Sequence, residues 1–359
     1  MSPSNTVFLK VGGQIHEGWQ RVAIEMSLTE CARSFDLTVT DRWPGRQATF
    51  QLTPGASCEL AIGDTKLLTG WVDDVDVSYD ADSHGLTLRG RGKTGDLVDC
   101  SALAAQTPWS GVSIETIASQ LLAPYGIKVS STTPDITKIM ASHVLQTGES
   151  VWACLDRAVR QYGVTAIEDA DGNLVLTRPG IGPALAGVSL GGNILKASSS
   201  FSDRETFRDY YIRGQFPGGH EVKSDPRVNT QGIAHATDPT VTRYRPRIIE
   251  AECTTSDPSF LPIRAKWEAA TRAGTARRAT LSVAGWRDAM GQLYAPNSMI
   301  RVEDDFLGIH EDLLVVSVHL SLDDQSGEIA ELTLRRKEAF EPKPLGDLPP
   351  YENGPGARK

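Results

Sequence analysis

Several common organising devices are missing from this chain of 359 residues. Its five cysteines, Cys31, Cys58, Cys100, Cys154 and Cys253, have no paired spacing, which excludes a zinc motif and a disulfide framework. Cys58, in a strand-like stretch, and Cys154, on an amphipathic helix, read as small core hydrophobes. No apolar run approaches the roughly 18 residues of a membrane helix. The start, MSPSNTVFLK, lacks a basic region followed by an apolar one, so the protein is expected to be made and kept in a cytoplasm, without membrane insertion. Positive charge is in deficit as well. A formal net charge of -9 argues against a surface that grips nucleic acid through its phosphates, though not against one past which nucleic acid slides.

What is present is an ordinary globular composition, 40% hydrophobic and 23% charged, with length for about two or three domains. Its strongest signal is a repeat. Val75, Val77 and Tyr79 alternate with Asp74, Asp76 and Ser78, run into Asp80, Ala81, Asp82 and Ser83, and restart as Leu86-Thr87-Leu88-Arg89. Near the other end Val318, Leu320 and Leu322 alternate with Ser317, His319 and Ser321, reach Asp323, Asp324, Gln325 and Ser326, and restart as Leu332-Thr333-Leu334-Arg335. An offset of 243 positions carries Tyr79 onto Leu322, with a loop three residues longer in the second copy. Upstream, Leu37-Thr38-Val39 before Trp43 matches Leu281-Ser282-Val283 before Trp286, and Pro54 ahead of Ser57 matches Pro296 ahead of Ser298. Collinear correspondences of this kind mark a repeat and predict two related barrels.

Residues 1–102 read as short strands separated by Gly, Pro and Asp turns, the first barrel. Residues 103–180 change period: Ser113 caps a helix facing inward through Ile114, Ile117, Leu121 and Leu122, and a second helix over residues 150–162 buries Val151, Cys154, Leu155 and Val159. Asp169 to Asn173 then joins a hairpin. Residues 181–340 form the second barrel, opening on a glycine-rich linker over 181–193 and including a surface loop over 217–240 and a helix over 259–273. A Pro/Gly-rich tail, 341–359, is expected to be extended and to contact a neighbour. The expected fold is mainly β with an α+β insert: two related tube-protein-like β-barrels flanking a small α/β domain.

Four motifs could carry chemistry. Gly90-Arg91-Gly92-Lys93-Thr94-Gly95 matches a dinucleotide loop, but it follows an antiparallel hairpin and no helix returns to a parallel strand; a Walker loop would need glycine at Thr87. Gly187-Val188-Ser189-Leu190-Gly191 matches a nucleophile elbow, with His220, His235, His310 and His319 downstream, yet glycine-rich sequence surrounds it where a helix should begin. Asp73, Asp74, Asp76, Asp80, Asp82 and His84, like Asp169, Asp171 and Asn173, lack the calcium-loop spacing and read as solvated acidic faces. Arg264, Lys266, Arg272, Arg277 and Arg278 lack interleaved aromatics and read as a salt-bridged or partner-facing helix. No catalytic, cofactor-binding or metal-ligating residue is assigned, and no cofactor is expected.

The stretches Leu68-Thr69-Gly70-Trp71-Val72-Asp73, Tyr79 to Asp82 and Gly90 through Asp96-Leu97-Val98-Asp99-Cys100-Ser101-Ala102 closely resemble the first barrel of Mu-like contractile-tail phage baseplate hub proteins, which are related to the hub portion of type VI secretion spike proteins. So do residues 150–178, Tyr210 to Gln215, and Arg243-Tyr244-Arg245-Pro246 through Arg264-Ala265-Lys266-Trp267-Glu268. The resemblance covers residues 5–340, with no lysozyme-like domain or spike repeat. It implies a non-enzymatic homotrimer in the virion tail, assembled in the host bacterial cytoplasm. The ring would join a sixfold tail tube, or its initiator protein, to a threefold central spike, contact other baseplate proteins, and line a channel for phage DNA that passes without specific binding. An acidic channel wall is expected to keep that DNA from adhering. Other readings are the hub of a phage-derived secretion or bacteriocin particle, a cell-wall serine hydrolase centred on Ser189, and a carbohydrate-binding module in residues 103–180.

Overall fold

The computed structural model describes residues 5–40, 52–79, 84–104, 107–133, 139–140, 142–162, 164–215, 231–251, 260–341 and 343. Trp43, Asp80, Asp82, Gly163, His220, Cys253 and the tail beyond 343 lie outside them. The first copy of the repeat supplies β1 (Val7–Val11), β2 (Gln14–His16), β3 (Arg21–Ser27), β4 (Ser34–Thr40), β5 (Ser57–Ile62), β6 (Thr65–Tyr79) and β7 (His84–Gly92). A short α1 (Gly95–Asp99) enters the insert: β8 (Val112–Ser113), α2 (Ile114–Leu122), β9 (Val129–Ser131), β10 (Ile139–Met140), α3 (Val151–Tyr162), β11 (Thr165–Glu168) and β12 (Leu174–Thr177). Then come β13 (Leu185–Ser189), β14 (Ile194–Phe201), β15 (Asp209–Gln215), β16 (Gln231–Thr237), β17 (Pro246–Glu250), α4 (Phe260–Thr275), β18 (Arg277–Ala284), β19 (Met299–Asp304), β20 (Ile309–Asp323) and β21 (Gly327–Arg335).

Local chemistry places the helices where the sequence puts them. Ser113 Oγ accepts the Thr116 N–H at 3.3 Å, and Ile114, Ile117, Leu121 and Leu122 of α2 are buried. Gly126 stops that turn with φ 65, a conformation that favours glycine. Ser150 Oγ accepts the Ala153 N–H at 3.2 Å, and Val151, Cys154, Leu155 and Val159 of α3 pack against α2. Strand β12 joins β11 antiparallel and β9 parallel beneath these helices. A smaller three-stranded sheet, β16-β15-β17, carries α4 through Ile212, Phe260, Leu261 and Ala265.

Both copies of the repeat contribute to one 13-stranded sheet, whose main path runs β14-β18-β21-β20-β3-β4-β7-β6-β5-β1-β2. Its hydrophobic cluster is continuous through both, from Leu37, Leu60 and Leu88 to Leu281, Leu320 and Leu332. Leu88 pairs with Val75 on one side and Leu37 on the other; Leu332 pairs with Val318 and Leu281 in the same way. Each long strand also has one bulge against its hairpin partner, between Val72 and Asp74 in β6 and between Val315 and Ser317 in β20. These are equivalent positions 243 apart.

The return strands correct one expectation. Leu88 corresponds to Leu332, an offset of 244, so the second loop is one residue longer rather than three. Matching the two Leu-Thr-Leu-Arg words had slipped the alignment by two residues. Such a slip leaves every side chain on its correct face, so alternation cannot reveal it. Likewise Ser57 corresponds to Met299 rather than Ser298, since Trp71 opposes Ser57 and Leu314 opposes Met299.

Two further expectations change. The span 181–193 is not all linker: β13 runs parallel to β19 and buries Leu185 and Val188. The loop over 217–240 gives way to β16 from Gln231, paired antiparallel with β15. The copies also diverge at their outer strands, where β1 is antiparallel to β5 but β13 is parallel to β19.

Candidate functional site: a sheet edge, a polar face and a clasp

Strand β20 has partners along both halves. Ile309 to Leu314 pairs with β19, and Ser317 to Leu322 pairs with β3, which is how the two copies join. Strand β6 is equally long, 15 residues, and its first half pairs with β5. Its second half pairs with β7 alone: among the described residues, no other backbone hydrogen bond reaches Asp74 to Ser78. At the opposite end of the path, β14 occupies the place of β3, since Ala197 opposes Leu281 as Val22 opposes Leu37, and among the described residues β14 pairs only with β18. Burial follows this difference. Val318 and Leu320 are fully buried against Met26 and Ile24, whereas Val77 is 72% exposed and Phe201 is 53% exposed.

The other face of the β14-to-β6 span is polar. On its rungs stand the carboxylates Glu25, Asp36, Asp74, Asp76, Asp323 and Glu331 and the cations Arg21, Arg89, Arg91, Lys196, Arg278 and Arg335, six of each. Arg89 bridges Asp36 at 2.9 Å and Asp76 at 2.7 Å. Arg91 is held charged by Asp99 and Asp73, both at 2.7 Å. This face mixes carboxylates with cations and is rich in Ser and Thr.

Gly90 to Gly95 forms a clasp between sheet and insert. A Cβ at Gly90 would stand 2.3 Å from the Trp71 carbonyl and 2.5 Å from the Phe35 ring; one at Gly92 would stand 2.1 Å from the Glu168 carboxylate. That carboxylate accepts the Arg33 N–H at 2.9 Å and the Thr94 N–H at 3.2 Å, while burial pushes its pKa up. Arg33 Nη2 also donates to the Glu168 carbonyl at 2.7 Å. The glycines admit neighbours, and α1 is only five residues long, so the motif has the geometry of a packing joint instead of a phosphate cradle.

Ser189 ends β13, and no helix follows it among the described residues. Its N–H donates to Asn193 Oδ1 at 3.1 Å. It shares a rung with Glu303 and His310, whose Nδ1 lies 2.7 Å from Glu303 Oε2. A triad requires the histidine between serine and acid; here the acid is between, leaving Ser189 and His310 two strands or roughly 10 Å apart. His235 contacts Asp209 at 3.0 Å, and His319 stands between Glu25 and Glu331.

The acidic runs are engaged locally. Besides the Arg89 and Arg91 bridges, Asp169 Oδ1 accepts the N–H groups of Asp171 and Asn173 at 2.9 and 2.8 Å, bracing its own turn. Arg264 and Arg272 flank Glu268 on α4, in line with a salt-bridged helix, whereas Arg277 and Arg278 open β18, where Arg277 reaches Glu311 at 3.5 Å. Cys58 and Cys154 are buried, as is Cys31, and Cys100 is exposed. Burial and the nearby Glu149 push the Cys154 thiol up to about 12, which leaves it un-ionised.

Comparison with known proteins assigns this architecture. Residues 6–92 match the family described as Mu phage baseplate assembly protein GpP-like, N-terminal; residues 94–178 match the second domain of baseplate hub protein gp44-like; residues 260–343 match the fourth domain of Mu phage baseplate assembly protein GpP. The baseplate hub protein gp44 of Escherichia phage Mu is 33% identical over 346 residues, covering 94% of this chain and 89% of the relative. A 43 kDa tail protein of prophage MuSo2 from Shewanella oneidensis is 31% identical with a TM-score of 0.78, covering 94% of this chain and 99% of that one. At 10% identity and a TM-score of 0.60, an E. coli type VI secretion component, described as similar to phage T4 tail proteins gp27 and gp5, shares the fold over 94% of this chain and 79% of its own. A repeated, mainly antiparallel sheet with a clasped helical insert thus belongs to a known kind of tail component: the chain is a member of the Mu-type phage baseplate hub family, whose members are structural proteins rather than enzymes.

Proposed function

We propose that three copies of this chain form the baseplate hub of a contractile tail, a ring that meets a sixfold tail tube on one side and a threefold central spike on the other. The carrying observation is the doubled ladder, Leu37-Leu88-Val75 and Leu281-Leu332-Val318, in one continuous sheet. Two equivalent units per chain become six in a trimer, matching tube symmetry without six chains. In this reading each copy forms one tube-like barrel unit, with residues 1–102 and 181–340 as the two barrel regions and 103–180 clasped to the first through Glu168.

The polar face of the ladders lines the channel. Asp73 and Asp99, which hold Arg91, add to the six carboxylates that stand with six cations on its rungs, so the face is left weakly acidic and DNA passes without specific binding. The hub is assembled in the host cytoplasm and carried in the virion. Sedimentation equilibrium of the purified protein tests the stoichiometry: the expected mass is three times 38.8 kDa, and a stable dimer would refute the proposal.

A further inference from the structure

We infer that the cleft between α4 and the exit of the insert is a binding site for a polyproline II segment, and that the segment it takes is this chain's own tail, residues 342–359. The site is separate from the hub reading above and does not rest on it. The cleft has a volume of about 540 Å³; Ile263, Trp267 and Ala270 line it from one face of α4, and Ile181 faces them from the insert's exit. Ile263 is 56% exposed and Ile181 48%, so this apolar lining is open among the described residues. Its aromatic member is held in place, with the Arg264 guanidinium 4.9 Å from the centre of the Trp267 ring. Grooves lined by aromatic side chains are the usual receptors for proline-rich segments, which lose little entropy because they are already extended.

The chain reaches this cleft in the required form. A short helical turn, Lys337–Phe340, packs on α4: a Cβ at Gly274 would stand 2.7 Å from the Ala339 backbone nitrogen, and Phe340 joins Leu28, Leu314 and Val316. From there the backbone runs back along α4 toward Trp267, whose Nε1–H donates to the Glu341 carbonyl at 2.9 Å. Glu341 has φ -64 and ψ 141, close to polyproline II. Pro342 follows, and a proline holds the residue before it in that region. A polyproline II helix has three residues per turn. At that period Pro342, Leu345, Leu348 and Tyr351 fall on one side, an apolar stripe that starts where the cleft starts. Asp347 falls off the stripe, and the cleft's own cations, Arg178, Lys266 and Lys337, give it partners of opposite sign. Tail and cleft belong to one chain and meet at the mouth of the cleft, so the contact forms at a high effective concentration.

Hydroxyl-radical footprinting of the full chain, read by mass spectrometry at Ile263 and Trp267, tests the assignment. Removing residues 342–359 should raise oxidation at both by about threefold or more, because a tail held at roughly millimolar effective concentration keeps the cleft mostly occupied. Oxidation of Ile233, exposed on the β16-β15-β17 sheet, should stay unchanged and report that the fold is intact. Leu345→Asp with Leu348→Asp should reproduce the deletion, whereas Gly346→Asp with Pro349→Asp, the same added charge off the stripe, should leave the cleft protected. Isotope-labelled tail-less chain mixed with an excess of unlabelled full chain should stay as oxidised as it is alone. An unchanged cleft after deletion, or equal effects of the two double variants, overturns the site. Protection of the labelled tail-less chain overturns its occupant, since the segment then comes from a neighbour.

Discussion

Strands β6 and β20 have the same length, equivalent bulges and equivalent partners on one side, yet one is paired along its whole second half and the other is not. The same alternating pattern thus produces sealed core at Val318 and Leu320 and exposed apolar surface at Val77. What separates them is connectivity. The chain contains two copies of the strand that adds to the long hairpin, but β3 is used internally and β14 stands at the end of the path. A tandem repeat whose units join edge to edge leaves one such edge over at each end of the span.

The largest effect separating the two positions should come from truncating them. Leu320→Ala opens a cavity in a sealed rung and should destabilise the fold by about 2–5 kcal/mol, whereas Val77→Ala should change the stability of dilute monomer by less than about 0.5 kcal/mol in urea unfolding. Equal losses would show that the β6 edge is covered within the chain.

A second test exchanges the copies' packing. Phe35 opposes Gly90 in the first ladder, while Ala279 opposes Leu334 in the second: large and small have traded strands. Gly90→Leu and Phe35→Ala should each cost roughly 3 kcal/mol or more, the first by clash and the second by cavity, and together should cost about 1–3 kcal/mol less than the sum. Additivity would mean that the two rungs do not share one packing space.

The Glu168 clasp belongs to the first copy. Burial raises the Glu168 pKa, so its contribution to stability is greatest below the unfolded-state value near about 4.3 and declines as pH rises toward the folded-state value. Glu168→Gln should flatten that part of the melting-temperature profile, because the amide does not titrate. It should also lose about 1–3 kcal/mol at neutral pH, since its NH2 faces a backbone N–H. An unchanged profile would remove Glu168 from the joint's pH response. The smallest expected effect is at Ser189: Ser189→Ala should leave plaque counts of the assembled phage unchanged, and a loss of infectivity with intact particles would reopen the hydrolase reading.

Much of this was legible because it is local. Ser113 and Ser150 announce helix starts, and Leu121 and Leu155 announce their inner faces, from residues within a turn or two. The repeat survived because Leu37, Leu88 and Val75 recur in order. The two-residue slip at Leu332 could not be seen, since period-two alternation is blind to it. Strand β13 was missed because its parallel pairing with β19 has an irregular register between Leu185 and Val188, which breaks alternation in a glycine-rich stretch. The clasp was hidden for another reason: Gly92 and Glu168 are 76 positions apart, and only the fold brings them together. The mixture of charges on the polar face was equally non-local, because it depends on which of eight strands lie side by side.

The central claim is that three chains present six equivalent ladders around one channel. Electron-microscopy reconstruction of the purified protein, without imposed symmetry, tests it most directly. The account predicts a closed ring with true threefold symmetry and six barrel-sized lobes around an open pore. A dimer or an open filament would contradict it.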